Sequence, residues 1–134
     1  MKLAHDDNEN NKVSALKILN ELAQDMGQTL NESFIVPEVK SLAIEESVLV
    51  RQEVARSLLN VSKIVSIDFF TLHIFSLYDK LTQDKDEKVR KVCAEVVAQI
   101  AQVTPLEKKA KAISEIYFRF LKDPTSKIVR GTAF

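Results

Sequence analysis

The chain has 134 residues, enough for one ordinary domain, and 46% of them are hydrophobic, which favours a folded, helix-rich protein over a disordered one. Nineteen basic residues balance nineteen acidic ones, which argues against the basic footprint of a nucleic-acid or membrane-surface binder, and no uncharged stretch approaches the about 20 residues of a membrane-spanning helix. A single cysteine excludes an internal disulfide and suits a reducing compartment.

Residues 1–10, MKLAHDDNEN, turn acidic and polar after four positions and read as a polar tail rather than a secretory signal. The spacing then predicts a helix over 11–26. A helix pair follows over 33–65, in which Ile35, Val39 and Leu42 face the core and Pro37 sits in the first turn or bends the helix. A second pair covers 67–103: Phe70, Ile74, Leu77 and Leu81 form one stripe, and Val89, Val92, Cys93, Val96, Val97 and Ile100 another. The last stretch, 105–134, holds one helix with Leu106, Ala110, Ile113, Tyr117 and Phe120 inward, and the beginning of its partner. Thr104-Pro105-Leu106-Glu107 offers a capping threonine, a proline at the first helical position and a following glutamate, and Asp123-Pro124-Thr125 makes a turn that stops the preceding helix.

These segments are copies of one another. Arg90, Arg51 and Lys12 lie 39 residues apart, and Arg130 lies 40 residues after Arg90. Three positions beyond each stand Cys93, Val54, Ala15 and Ala133; nine positions before the arginines stand Leu81, Leu42 and Leu121. A recurrence near 40 with two helices per unit is the pattern of a HEAT or armadillo array, an all-α solenoid of stacked antiparallel helix pairs. About three repeats are present, and since both ends cut through a unit, the pattern predicts a piece of a longer array.

Among the candidate functional residues, Arg51, Arg90 and Arg130 are expected to form a structural ladder, each guanidinium forking onto an acidic residue of a neighbouring turn such as Asp84, Asp86 or Asp123. Cys93 aligns with small residues and is expected in the helix interface rather than as a nucleophile. His5 and His73 have no partner at ligand spacing, so no metal is expected. The aromatics Phe69, Phe70, Phe75, Tyr78, Tyr117, Phe118 and Phe120 fall at helical spacing and most of them read as core, and Lys108, Lys109 and Lys111 as a solvated face. Two glycines rule out a glycine-rich phosphate loop, and no Ser/His/Asp grouping is discernible, so neither a catalytic residue nor a cofactor is expected. Asn31-Glu-Ser33 and Asn60-Val-Ser62 match the glycosylation pattern by chance.

The runs PEVKSLAIEESVLVRQEVARSLLNVS (37–62), KLTQDKDEKVRKVCAEVVAQIA (80–101) and FLKDPTSKIVRGTAF (120–134) resemble the HEAT repeats of the scaffold subunit of protein phosphatase 2A and of a regulatory subunit of protein phosphatase 4. NKVSALKILNELAQDMG fits the scaffold's habit of a helix followed by glycine, and the resemblance covers 11–134. It implies a non-catalytic, cytoplasmic scaffold that binds protein partners, among them a catalytic subunit of the phosphatase 2A type and regulatory subunits, with no nucleic acid and no membrane insertion. In that family the turns inside each repeat form the partner-binding ridge. By position the ridge here comprises Glu45, Glu46, Ser47, Asp84, Lys85, Asp86, Asp123, Pro124 and Thr125. The alternative is another HEAT adaptor, such as a nuclear transport receptor or a structural part of a large assembly.

Overall fold

The computed structural model describes residues 9–105 and 109–123, and the secondary structure among them is helical, with no strand. Six helices follow in chain order: α1 (Glu9–Asp25), α2 (28–42), α3 (Val48–Ser62), α4 (67–81), α5 (Glu87–Val103) and α6 (109–121). Helix α1 places Ala15, Leu16, Leu19 and Ala23 on its buried stripe. It ends at Asp25, and Gly27 takes an extended conformation (φ −74°, ψ 178°) at the start of α2. The open carbonyls at its C-terminus are taken up by Asn31, whose Nδ2 donates to the oxygens of Ala23 (3.1 Å), Met26 (3.0 Å) and Gly27 (3.0 Å). Asn31 is fully buried, so its match to a glycosylation pattern has no accessible amide in this fold.

Helix α2 begins at Gln28, five residues before the start at 33 expected from the sequence. It carries a widened π turn, Asn31–Ile35, and Pro37 follows as the second residue of the regular piece Val36–Leu42. The wide turn therefore sits where the proline ring would otherwise press on the preceding carbonyls. Proline is not its general cause. The same π turn recurs at Phe70–Ile74 in α4 and at Lys109–Ile113 in α6, each 39 residues on, where Ser76 and Glu115 occupy the equivalent position.

The inward faces of α4 and α6 each differ at one position from the expected one. In α4 the fully buried set is Phe70, Ile74 and Tyr78, with Leu81 nearly so, whereas Leu77 is only half-buried. In α6 Ile113, Ile116 and Phe120 are buried and Tyr117 is half-buried. Leu77 and Tyr117, expected inward, pack against the core only in part, while Tyr78 and Ile116 are fully buried. Leu106 lies outside the described residues.

Side chains cap the starts of α3, α4 and α5. Ser47 Oγ accepts from Val50 N (3.4 Å) at α3, Ser66 Oγ from Phe69 N (3.2 Å) at α4, and Asp86 Oδ1 from Lys88 N (2.8 Å) at α5. Glu32 of α2 reaches across to accept from Ser66 N (2.9 Å). At Thr104 the hydroxyl turns back and donates to Ile100 O (2.7 Å), closing α5.

The helices form two layers. Helix α3 lies between α1 on one side and α5 on the other, and its stripe Val50, Val54, Ala55, Leu58 and Val61 is fully buried. Helices α2 and α4 cover this layer, α2 against α3 and α4 against α3 and α5. Burying a side chain such as Leu58 or Phe70 stabilises the fold by about 1.5–3 kcal/mol each. Within this interior the buried Tyr78 hydroxyl donates to Cys93 O (2.7 Å) and ties α4 to α5. No helix among the described residues is long and apolar enough to cross a membrane.

Candidate functional site

Each helix pair is joined by a short turn, residues 43–47 between α2 and α3 and 82–86 between α4 and α5, with Lys122 and Asp123 following α6. A chain of ion pairs runs from one turn to the next. At its first rung Lys12 Nζ of α1 meets Glu45 Oε1 (2.9 Å). At the second, Arg51 of α3 donates Nε to Asp84 Oδ2 (2.8 Å) and Nη2 to Asp84 Oδ1 (3.1 Å), while its Nη1 donates to the carbonyls of Glu45 and Glu46 (2.8 Å each). The third repeats the arrangement: Arg90 of α5 donates Nε to Asp123 Oδ2 (2.7 Å), Nη2 to Asp123 Oδ1 (3.4 Å) and Nη1 to Asp84 O (2.6 Å).

Every rung joins residues 33 apart: 12 to 45, 51 to 84 and 90 to 123. The helical rise places each basic residue one turn into the second helix of its pair, level with the turn of the next pair. A planar guanidinium can bridge two turns at once, holding the carbonyls of its own and the carboxylate of its neighbour. Lysine at position 12 supplies a single point contact instead.

This geometry divides the residues of the expected ridge. The Asp84 side chain is 10% exposed and that of Asp123 3%, so both carboxylates point into the ladder. Asp84 Oδ1 also accepts from Asp86 N (2.9 Å), which fixes the turn. Asp86 caps α5 and does not meet an arginine; Ser47 caps α3. Glu45 is partly exposed and engaged by Lys12, leaving Glu46 and Lys85 as the charged residues turned to solvent. Pro124, Thr125 and Arg130 lie outside the described residues.

Several polar links between pairs were not singled out from the sequence. Arg119 of α6 donates Nη1 to Thr82 Oγ1 (2.7 Å) and pairs through Nη2 with Asp79 Oδ1 (2.9 Å). Between α1 and α3, Asn60 Nδ2 donates to Asn20 O (3.1 Å), and Gln24 Nε2 donates to Asn60 Oδ1. Each bridges residues 36 to 40 apart, close to the repeat itself, so the recurrence carried a signal for them; the constant 33-residue offset would likewise have found Glu45 as the partner of Lys12.

Beside the ladder an open cleft of about 630 Å³ lies between the second turn and α6, lined by Thr82, Asp84, Arg90, Phe118, Arg119 and Lys122. Arg90 and Arg119 are held in the pairs described above, and Lys122 Nζ stands 5.8 Å over the Phe118 ring. Thr82 is a donor to Asp79 O (2.6 Å) as well as the acceptor for Arg119. No cluster of histidine, cysteine and carboxylate side chains among the described residues could hold a metal ion. Cys93 is fully buried, and burial together with the Asp84 charge pushes its thiol pKa well above the ordinary range, which disfavours the nucleophilic thiolate. His73 packs against the Phe69 ring at 4.6 Å. No known family profile matches the chain, and no curated protein matches it.

Proposed function

We propose that this chain is part of a HEAT-repeat α-solenoid and serves as a non-catalytic scaffold or regulatory subunit of a serine/threonine phosphatase of the 2A type. The observation that carries the solenoid is the shared 39-residue step in three independent features: the helix pairs, the π turns at 31, 70 and 109, and the rungs at 12, 51 and 90. A closed bundle has no reason to repeat a backbone irregularity at that interval, whereas a stack in which each unit meets only its neighbours does. The phosphatase assignment is supported by the resemblance of 37–62, 80–101 and 120–134 to that family's repeats. Partners bind along the ridge of turns, and the scaffold acts by holding a substrate-recruiting chain close to a catalytic subunit, raising its effective concentration. Purified chain is expected to co-elute with a catalytic or regulatory subunit of a 2A-type phosphatase. Failure to co-elute, together with capture of transport cargo or of components of a large assembly, overturns the phosphatase reading in favour of another HEAT adaptor.

A further inference from the structure

The joint between α4 and α6 marks which sides of the covering helices meet. Arg119, on the side of α6 turned back toward α4, pairs with Asp79 (2.9 Å) and donates to Thr82 Oγ1 (2.7 Å), so Asp79 and Thr82 stand on the side of α4 turned onward. The 39-residue step carries both sides to their copies. One step on from Asp79 and Thr82, the onward side of α6 has Phe118 and Leu121. Two steps back from Arg119, the backward side of α2 has Ser41, with Pro37 and Phe34 in the columns of Glu115 and Ala112. The onward side of α2 and the backward side of α4 carry Lys40 and Lys80 in the columns of Asp79 and Arg119. Among the described residues these two columns are charged at every inner side and lose the charge at the two outermost sides.

What replaces the charge is apolar and exposed. Phe118 is 59% and Leu121 49% exposed, and with Ser114 and Tyr117 they line an open groove of about 270 Å³ along α6. On α2, Leu30 is 51% and Phe34 36% exposed, beside Pro37. Scattered exposed apolar residues need no explanation. Two sets that occupy the two halves of one joint do. An onward side fits a backward side by the arrangement already present between α4 and α6, and α4 stands between the two apolar sides, so within one copy they do not meet. Nineteen acidic and nineteen basic residues leave no net charge to hold copies apart.

We infer that the chain binds a second copy of itself head to tail: the onward side of α6 in one copy, through Phe118 and Leu121, packs on the backward side of α2 in the next, at Leu30, Phe34 and Pro37. A joint of this kind leaves one side unused at each end, so the assembly grows as an open series. The inference uses the stacked units and nothing of the phosphatase assignment, so either fails without the other.

Sedimentation equilibrium of the whole chain between about 1 and 200 μM tests it, a range suited to a contact at the small end of specific interfaces. The average mass of the unsubstituted chain is expected to climb with concentration. Phe118→Asp and Phe34→Asp each block one side and are expected to weaken association by about tenfold or more with an unchanged circular dichroism spectrum. Ile44→Asp, at an 88% exposed residue on neither side, is expected to leave association alone. Leu30→Asp takes the place of Phe34→Asp if that variant does not fold. The deciding sample is an equimolar mixture of the two blocked variants: each supplies the side the other lacks, so the mixture forms a 1:1 dimer and grows no further. The inference is overturned by an unsubstituted chain that stays monomeric throughout, by association of Phe118→Asp equal to that of the unsubstituted chain, by a mixture no heavier than its parts, or by an equal loss in Ile44→Asp.

Discussion

Replacing Arg51 by methionine tests the ladder at its best-connected rung. The substitution keeps most of the aliphatic stem and removes four hydrogen bonds: two to Asp84, at 2.8 and 3.1 Å, and two to the carbonyls of Glu45 and Glu46. It strands the Asp84 carboxylate, only 10% exposed, with the Asp86 amide still donating to it. Leaving one member of a buried ion pair behind costs about 3–5 kcal/mol, a large part of the about 5–15 kcal/mol that holds a domain folded. With a denaturant slope of about 2 kcal/mol/M for a chain of this size, the urea midpoint falls by about 2 M. The double variant Arg51→Met, Asp84→Leu removes both charges, and most of the loss is recovered because no unpaired carboxylate remains in the turn. Urea unfolding followed by circular dichroism, run as a double-mutant cycle, reads both effects. A single-variant loss below about 1 kcal/mol, or additive losses with no coupling between the two sites, would refute the view that the fork joins the turns.

Three further outcomes follow from the same geometry. Lys12→Ala is expected to cost less than about 1 kcal/mol by urea unfolding, since the lysine makes one point contact to a carboxylate that is 31% exposed. Tyr78→Phe, which keeps the buried ring and removes only the bond to Cys93 O, is expected to cost about 1 kcal/mol, and Tyr78→Ala about 3–5 kcal/mol through the cavity it leaves. Burial raises both the Cys93 thiol and the Tyr78 hydroxyl above their unfolded pKa values, so the unfolded chain ionises first. Their contribution is complete below about pH 8.5 and is lost as pH climbs past it; the urea midpoint drops there, and a thiol reagent labels Cys93 only as fast as the chain opens.

Much of this structure is legible in the residue pattern. The step of 39 between Lys12, Arg51 and Arg90 locates the second helix of each pair, and the turns at 45–47 and 84–86 lie where acidic residues interrupt the apolar stripe. Cys93, Arg51 and Arg90 could be assigned to packing and to ladder positions because each aligned with a counterpart in the other copies. The turns could be placed but their residues not sorted: Asp84, Lys85 and Asp86 are consecutive polar residues, and nothing local distinguishes the one drawn into the ladder from the one left in solvent.

Sequence by itself determined the helical class, the two-helix unit and its interval, because these depend on apolar spacing and on turn residues that act within a few positions of one another. Tertiary structure decided which residues of that spacing face inward and which charges meet. Full burial falls on Tyr78 where the spacing favoured Leu77, and on Ile116 where it favoured Tyr117. The guanidinium forks join groups 33 residues apart, a proximity that exists only once neighbouring pairs are stacked and one helix lies level with the next turn.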